Sequence, residues 1–291
     1  MTQATKHIPK PKWLRRPLPK GSVYVHIQKM LREERLHTVC EEAKCPNMWE
    51  CFSRKTATFL VLGNRCTRNC RFCSIRHGAP APADPEEPGR VARAARELGL
   101  TYVVVTSVTR DDLADGGGHL FARTIKEIKK EIPGAGVEVL IPDFKGSVGA
   151  LHTVLAAKPN VLNHNIETVP RLYKSVRPAA DYQCSLELLR HAACDFPDIP
   201  VKSGIMLGLG EMPDEIEQTL KDIHATGCQI LTIGQYLQPT RQHLPVARYV
   251  PPEEFNHWRQ RGLAMGFAEV FSGPLVRSSY HAKEMYQTVT R

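Results

Sequence analysis

Residues 57–73 read ATFLVLGNRCTRNCRFC. The first seven form an apolar, β-branched run ending in glycine, the pattern of a strand buried on both faces, and they hand the chain to a loop dense in cysteine and arginine. A strand that delivers its C-terminal end to a chemically loaded loop is the opening βα unit of a fold whose site gathers at the strand ends. The unit then recurs. Apolar runs at 102–106, 137–141, 161–166, 201–207 and 230–236 read as strands. Stretches with helical spacing at 90–98, 120–132, 148–157, 185–194, 215–225 and 253–264 read as helices between and after them. Strict alternation predicts a parallel sheet with right-handed crossovers. No G-x-G-x-x-G opens a helix after the first strand, which disfavours a dinucleotide fold. A closed eight-fold barrel takes about 250 residues, more than this chain offers after residue 57. The expected architecture is therefore α/β, an open six-stranded parallel (β/α)6 partial TIM barrel at 56–272, with a cysteine-rich extension at 1–55.

The chain has 291 residues, of which 42% are hydrophobic, enough for a full core. No run approaches the roughly 18 apolar residues of a membrane span, so no membrane role is expected. The formal charge is +9, but Lys6, Lys10, Lys12, Arg15, Arg16 and Lys20 lie in an acid-free stretch at 1–20, which leaves +3 for the rest. A basic arm on a nearly neutral body fits an acidic protein partner or an anionic ligand at least as well as nucleic acid, and no nucleic-acid partner is expected. Pro9, Pro11, Pro17 and Pro19 would break a transit-peptide helix, and no apolar signal core is present, so the expected location is cytoplasmic. Nine cysteines under reducing conditions point to metal or redox roles.

Cys66, Cys70 and Cys73 are spaced C-x3-C-x2-C. A structural zinc site closes four ligands, whereas three thiolates on a four-iron cluster leave one iron open for a substrate or cofactor. Arg68 and Arg71, lying between them, are expected to lower the thiol pKa values and to offset cluster charge. Cys40, Cys45 and Cys51 form C-x4-C-x5-C, a less specific spacing that a zinc site completed by His37 would also satisfy. Other strand-end candidates are Asp111–Gly118, Asp143, Asn165 and Glu167, Gly208–Glu211 and Gln235–Gln238. Gly116–Gly118 is followed by no Lys-Ser/Thr and is no phosphate loop. Ile205, Met206 and Leu207 are expected in the core or beside a bound base. Cys184, Cys194 and Cys228 lack ligand spacing and are expected to be buried apolar residues.

C-x3-C-x2-C with Phe72 before its last cysteine, at the end of the first strand, resembles the signature of the radical S-adenosylmethionine superfamily. With C-x4-C-x5-C upstream, the pair resembles the lipoyl synthase family. KPKWLR at 10–15, DDLADGG at 111–117, NHNIET at 163–168, KSGIMLGLGE at 202–211, QYLQPT at 235–240 and RSSYHA at 277–282 are similar to that family's segments as well. The resemblance implies two 4Fe–4S clusters, one on Cys66, Cys70 and Cys73 that binds S-adenosylmethionine, and an auxiliary one on Cys40, Cys45 and Cys51. It implies Ser279 as the auxiliary cluster's fourth ligand, with Ser278 as the alternative, and a segment at 273–291 that closes over the barrel mouth. Phe72, Asp115, Gly116, Gly117, Asn165, Glu167 and Arg177 match positions near the cofactor. The implied reaction is radical insertion of two sulfur atoms at C6 and C8 of an octanoyl group on a lipoyl carrier domain, the auxiliary cluster being consumed. The implied partners are that carrier protein and a donor such as flavodoxin or ferredoxin, and the protein is expected to be a monomer. The arm at 10–16 would either steer an acidic carrier domain or be pinned to the body by Trp13.

Overall fold

The computed structural model describes residues 9–15, 22–43, 45–53 and 57–290. In chain order its elements begin with α1 (Ser22–Glu33), β1 (His37–Thr38), α2 (Val39–Glu42), α3 (Met48–Ser53), β2 (Thr58–Val61), β3 (Arg65–Cys66), β4 (Arg76–His77) and α4 (Glu87–Glu97). They continue through β5 (Tyr102–Ser107), α5 (Gly118–Glu131), β6 (Gly136–Leu140), α6 (Val148–Ala156), β7 (Val161–Asn163), α7 (Tyr173–Val176) and α8 (Tyr182–Asp195). The last are β8 (Val201–Leu207), α9 (Pro213–Ala225), β9 (Ile230–Gln235), α10 (Pro252–Met265), β10 (Glu269–Gly273) and α11 (Ala282–Val289).

All six expected strands and all six expected helices are present, and the strands pair in parallel in chain order, as α/β alternation requires. The count of six falls short, because the sheet has eight strands in the order β1-β2-β5-β6-β7-β8-β9-β10. β10 adds a seventh parallel strand beside β9, and the two-residue β1 pairs antiparallel with β2. Neither carried a legible signal: β1 is too short for a period, and EVFSG in β10 mixes two apolar residues with a charge, a serine and a glycine. β7 stops at Asn163 rather than Ile166 because the chain turns at Glu167, whose φ of 70° is left-handed, before an isolated bridge joins Glu167 to Ile205.

Strand alternation sorts the side chains onto two faces. Val103, Val105, Leu162 and Leu231 join the main core beneath the helices, with Val91 and Ala95 of α4 and Ile125 of α5. The opposite, inner face is filled from the C-terminus. Ala282 of α11 packs with Tyr102 and Val104, and Met285 with Val161 and Ile230. The C-terminal helix thus fills the inside of the sheet. Beneath it lies a buried ion pair, in which Lys202 Nζ donates to Glu138 Oε1 at 2.9 Å while Tyr102 and Asn163 donate to the same carboxylate. Two inner-face glycines make room. A Cβ on Gly234 would lie 2.3 Å from the Val276 carbonyl oxygen, and one on Gly204 2.3 Å from Thr232 Oγ1.

Candidate active site

After β2 the chain turns through Leu62 and Gly63, both with positive φ, and enters the cysteine loop. β3 and β4 pair in parallel and bracket that loop, matching Arg65 with Arg76 and Cys66 with His77. Further bonds hold the loop from several sides. Thr67 N–H donates to Thr109 O at 3.0 Å, Arg71 N–H to Val176 O at 2.9 Å, and His243 Nε2–H to Cys73 O at 2.9 Å. Cys66 Sγ accepts the N–H groups of Arg68 and Thr109 at 3.4 and 3.3 Å.

Arg68 does not serve the thiols in the way its position suggests. Its guanidinium is buried and forks onto two carboxylates, Asp111 at 2.7 and 2.9 Å and Asp143 at 2.6 and 2.7 Å. Burial works against its charge, but these hydrogen bonds outweigh burial and hold it protonated. Arg71 is exposed. Two of the thiols move opposite to the expectation: burial pushes Cys73 up to about 12, and burial raises Cys70 too, with Arg177 rather than Arg68 the main opposing cation at Cys70. Desolvation therefore overrides the local arginines.

This donor set fits a cluster chemically. All three cysteines are free, and Cys70 and Cys73 sit where burial and neighbouring cysteines oppose ionisation. Such thiols become thiolates only together with a bound cation. Among the described residues no three His, Cys, Asp or Glu side chains are arranged to hold a metal ion as they stand, so the fit rests on donor chemistry alone.

Beside Cys70 lies a second constellation. Asn165 Nδ2 donates to Glu167 Oε1 at 3.0 Å and to Ser278 Oγ at 2.7 Å, and Arg177 donates to the Asn165 carbonyl at 3.0 Å. Burial raises Glu167, against the pull of Arg177 and Asn165. Asn165 Oδ1 and Arg177 Nε are buried without partners, leaving an acceptor and a donor open to a zwitterionic ligand. Sequence reasoning did not single out His164 or Arg277. His164 is buried and neutral, its pKa lowered by burial to about 4; it donates from Nδ1 to Ile141 O at 2.9 Å and leaves Nε2 without a partner. Burial lowers Arg277, which faces Cys45 and Glu167. The signal available for both was a run of polar residues, NHN at buried positions and RSS at half-buried ones.

The glycine-rich loop is built around protein contacts. Asp115 accepts the N–H groups of Gly117 at 3.0 Å and His119 at 2.8 Å and so caps α5. Gly116 and Gly117 have positive φ, and a Cβ would strike Phe144 at 2.8 Å and Leu62 at 2.2 Å respectively. A cavity of about 390 Å3 opens nearby, lined by Asp111, Leu113, Gly116, Phe144, Lys145 and Ser147. Phe72 is half-buried.

The second cysteine set spans α2, the following turn and α3. Burial pushes Cys40 up to about 12, with Cys45 and Cys51 adding to the rise. The pairing of β1 with β2 and the burial of Cys40 in the main core tie it to the body, and further hydrogen bonds tie it to the C-terminal segment. Asn47 Nδ2 donates to Leu275 O at 2.6 Å, and Tyr280 donates to Glu50 at 3.0 Å. Residues 277–280 therefore touch both regions, with Ser278 on Asn165 and Tyr280 on Glu50. Ser279 is half-buried between them. Of the unassigned cysteines Cys228 is buried as expected, but Cys184 is half-buried and Cys194 exposed, because α8 presents them away from its packed face. In the N-terminal arm Trp13 is 45% exposed and Leu14 is the buried anchor, so the tryptophan pins nothing. Arg16 lies outside the described residues.

Comparison with known proteins places the chain in a family. A family model for the Radical SAM superfamily matches residues 60–223, and one for the N-terminal domain of lipoyl synthase of that family matches residues 1–45. A lipoyl synthase of Rubrobacter xylanophilus is 54% identical over 97% of this chain and 88% of its own. One of Caldanaerobacter subterraneus is 55% identical over 94% and 95%. Among solved structures, Streptococcus suis SuiB bound to the precursor peptide SuiA is similar in fold, with a TM-score of 0.58 at 10% identity over 78% of this chain and 52% of that one.

Proposed function

Because the chain belongs to the lipoyl synthase family of the radical S-adenosylmethionine superfamily, we propose that it inserts sulfur at C6 and C8 of an octanoyl group carried on a lipoyl domain. It is an enzyme of the radical S-adenosylmethionine sulfurtransferase class. Cys66, Cys70 and Cys73 would hold the first 4Fe–4S cluster, and S-adenosylmethionine bound to it supplies, on one-electron reduction, the carbon radical needed to break an unactivated C–H bond. Asn165, Glu167 and Arg177 would orient that cofactor through the open acceptor and donor beside Cys70, with Phe72 and the 115–117 loop flanking it. Buried surroundings keep dioxygen and excess reductant, which would intercept a radical, away from the site. Cys40, Cys45, Cys51 and Ser279 would hold the second cluster, here a substrate whose sulfide is transferred. Ser278 is engaged by Asn165, which favours Ser279 as the ligand. The working division is an extension at 1–55, a barrel at 56–272 and a closing segment at 273–291, acting in the cytoplasm on an octanoylated carrier protein with an external electron donor. No helix among the described residues is long and apolar enough to cross a membrane.

The observation that carries this reading is the stretch at 277–280, which joins the two cysteine regions: Ser278 bonds Asn165, Arg277 faces both Cys45 and Glu167, and Tyr280 bonds Glu50. Sulfur transfer to a radical formed at one site requires the other to lie close by. The test is an anaerobic reaction of the reconstituted protein with S-adenosylmethionine, dithionite and an octanoyl-lysine peptide. The expected product is the dithiolated peptide by mass spectrometry. Cofactor cleavage with no sulfur in the peptide would refute sulfur insertion.

A further inference from the structure

Most arginines on this surface hold a carboxylate. Arg90 pairs with Asp84, Arg171 with Glu215, Arg248 with Glu254 and Arg261 with Glu217. Four exposed arginines around the first cysteine loop do not. Arg65, Arg71, Arg76 and Arg241 have no carboxylate within 4.0 Å among the described residues. Their backbones are drawn together around the loop. Arg65 and Arg76 are matched neighbours on β3 and β4, and Arg71 lies between Cys70 and Cys73. Arg241 belongs to a turn in which His243 donates to Cys73 O and Leu244 N–H donates to Arg71 O at 3.1 Å. Like charges paired on a ladder cost stability, and among the described residues no acid offsets the Arg65–Arg76 pair.

We infer that this face docks an acidic one-electron carrier protein, of flavin or iron–sulfur type, that reduces the cluster held by Cys66, Cys70 and Cys73. The inference rests on the proposed function for the existence of that cluster. The choice of a donor over the octanoylated domain follows from the two sides of the loop. Through Cys70 its inner side meets Arg177 and Glu167, where the octanoyl chain must arrive, while its outer side carries the exposed arginines. A donor needs only a short gap to the cluster and need not enter the barrel. In the transfer the carrier loses one electron and the cluster gains it; no bond breaks and no proton moves at the docking face. A basic patch without partners steers an acidic protein, an on-rate effect that salt suppresses.

The test combines Arg65→Glu, Arg76→Glu and Arg241→Glu in the reconstituted protein and leaves Arg71, between two cysteines, in place. Cleavage of S-adenosylmethionine is driven either by reduced flavodoxin or by reduced methyl viologen, a small cation that gains nothing from a basic surface. With flavodoxin the rate at low ionic strength should fall about tenfold, and the deficit should shrink as salt rises. With methyl viologen the rate should not fall, because the reversed charges attract a cation, and the iron content should not change. Equal losses with both reductants, or no loss with flavodoxin, would overturn the assignment. Retained flavodoxin-driven cleavage with lost binding of the octanoylated domain would hand the face to the substrate. Should the unaltered protein fail to cleave the cofactor with methyl viologen, the proposed function is at fault, and flavodoxin binding by titration still decides the docking face: weaker in the variant supports it, unchanged refutes it.

Discussion

The two cysteine sets are held in opposite ways. Cys66, Cys70 and Cys73 occupy one eight-residue loop bonded to Thr109, Val176, His243 and Leu244, while Arg68 ties the same loop to Asp111 and Asp143. Cys40, Cys45 and Cys51 are joined by local backbone bonds, Cys45 N–H to Cys40 O at 3.0 Å and Cys51 N–H to Asn47 O at 3.0 Å. Their long-range ties run to the body through Thr38, matched with Phe59 of β2, and Cys40 in the main core, and to the remote C-terminal segment at Leu275 and Tyr280. A site stitched to four segments of the body keeps its ligands in place through many turnovers, whereas a site closed on one side by a strap can be opened there by moving that strap. The difference suits a resident cofactor in the first case and a consumable sulfur source in the second.

The most severe way to break this comparison is to remove ligands. Cys66→Ala, Cys70→Ala or Cys73→Ala should abolish cleavage of S-adenosylmethionine, a loss on the order of 10³-fold or more. Cys40→Ala, Cys45→Ala or Cys51→Ala should leave cleavage measurable and eliminate thiolated product. Cleavage lost only in the second group, measured as 5′-deoxyadenosine, would reverse the two roles. Next in size, Ser279→Ala should retain most of its iron and yield no thiolated peptide. Ser278→Ala should lose only the Asn165 hydrogen bond, about 1 kcal/mol of stability, and keep making product. The opposite pattern would move the ligand by one residue.

Lys202→Met probes the support common to both regions. It leaves the buried Glu138 carboxylate facing only Tyr102 and Asn163, and removing one partner of a buried pair costs about 3–5 kcal/mol. Urea unfolding should show that loss, with the iron content of both sets unchanged in protein that remains folded. An unaltered midpoint would mean that the pair contributes nothing. Gly234→Ala is milder and more selective. Its new Cβ would meet the Val276 carbonyl at 2.3 Å, so over-packing of about 1–3 kcal/mol falls on the strap. Iron should be lost from the second set alone, and equal loss from both would show that the strap is not specific to it.

What the sequence made legible follows the same division. Strands such as Tyr102–Ser107 announced themselves because YVVV is apolar on both faces over a full period, and the first triad because three cysteines on one loop need no tertiary context. The strap was legible only by resemblance. Nothing in EVFSG or AKEMYQTV shows that one completes the sheet and the other fills its inner face, since the first is stabilised by β9, some forty positions back, and the second by Tyr102, Val104 and Val161, more than a hundred positions away. The arginines misled for the same reason. Adjacency in sequence placed Arg68 among thiols, and only the fold brings Asp111 and Asp143 to claim it. Burial, which sets the direction of the thiol pKa values, is not written in any local motif.

The smallest effect is expected at the N-terminal arm, and it separates the two partners the surfaces imply. Lys10, Lys12 and Arg15 are exposed on a short turn anchored by Leu14, and Arg16 follows them. Lys10, Lys12 and Arg15 are exposed, so neutralising them with glutamine, together with Arg16, should alter folding little. If these cations steer the octanoylated domain, its binding should weaken several-fold at low salt and recover the wild-type value as screening shortens toward about 3 Å at 1 M. Turnover of a short octanoyl-lysine peptide, which lacks the acidic domain surface, should barely change, and flavodoxin-driven cleavage should not change at all because that partner meets Arg65, Arg76 and Arg241. Equal losses with domain and peptide would remove the arm from docking and make it a structural strap held by Leu14. A loss of flavodoxin-driven cleavage would merge the two basic surfaces into one, and the first cysteine loop would then share its face with the substrate.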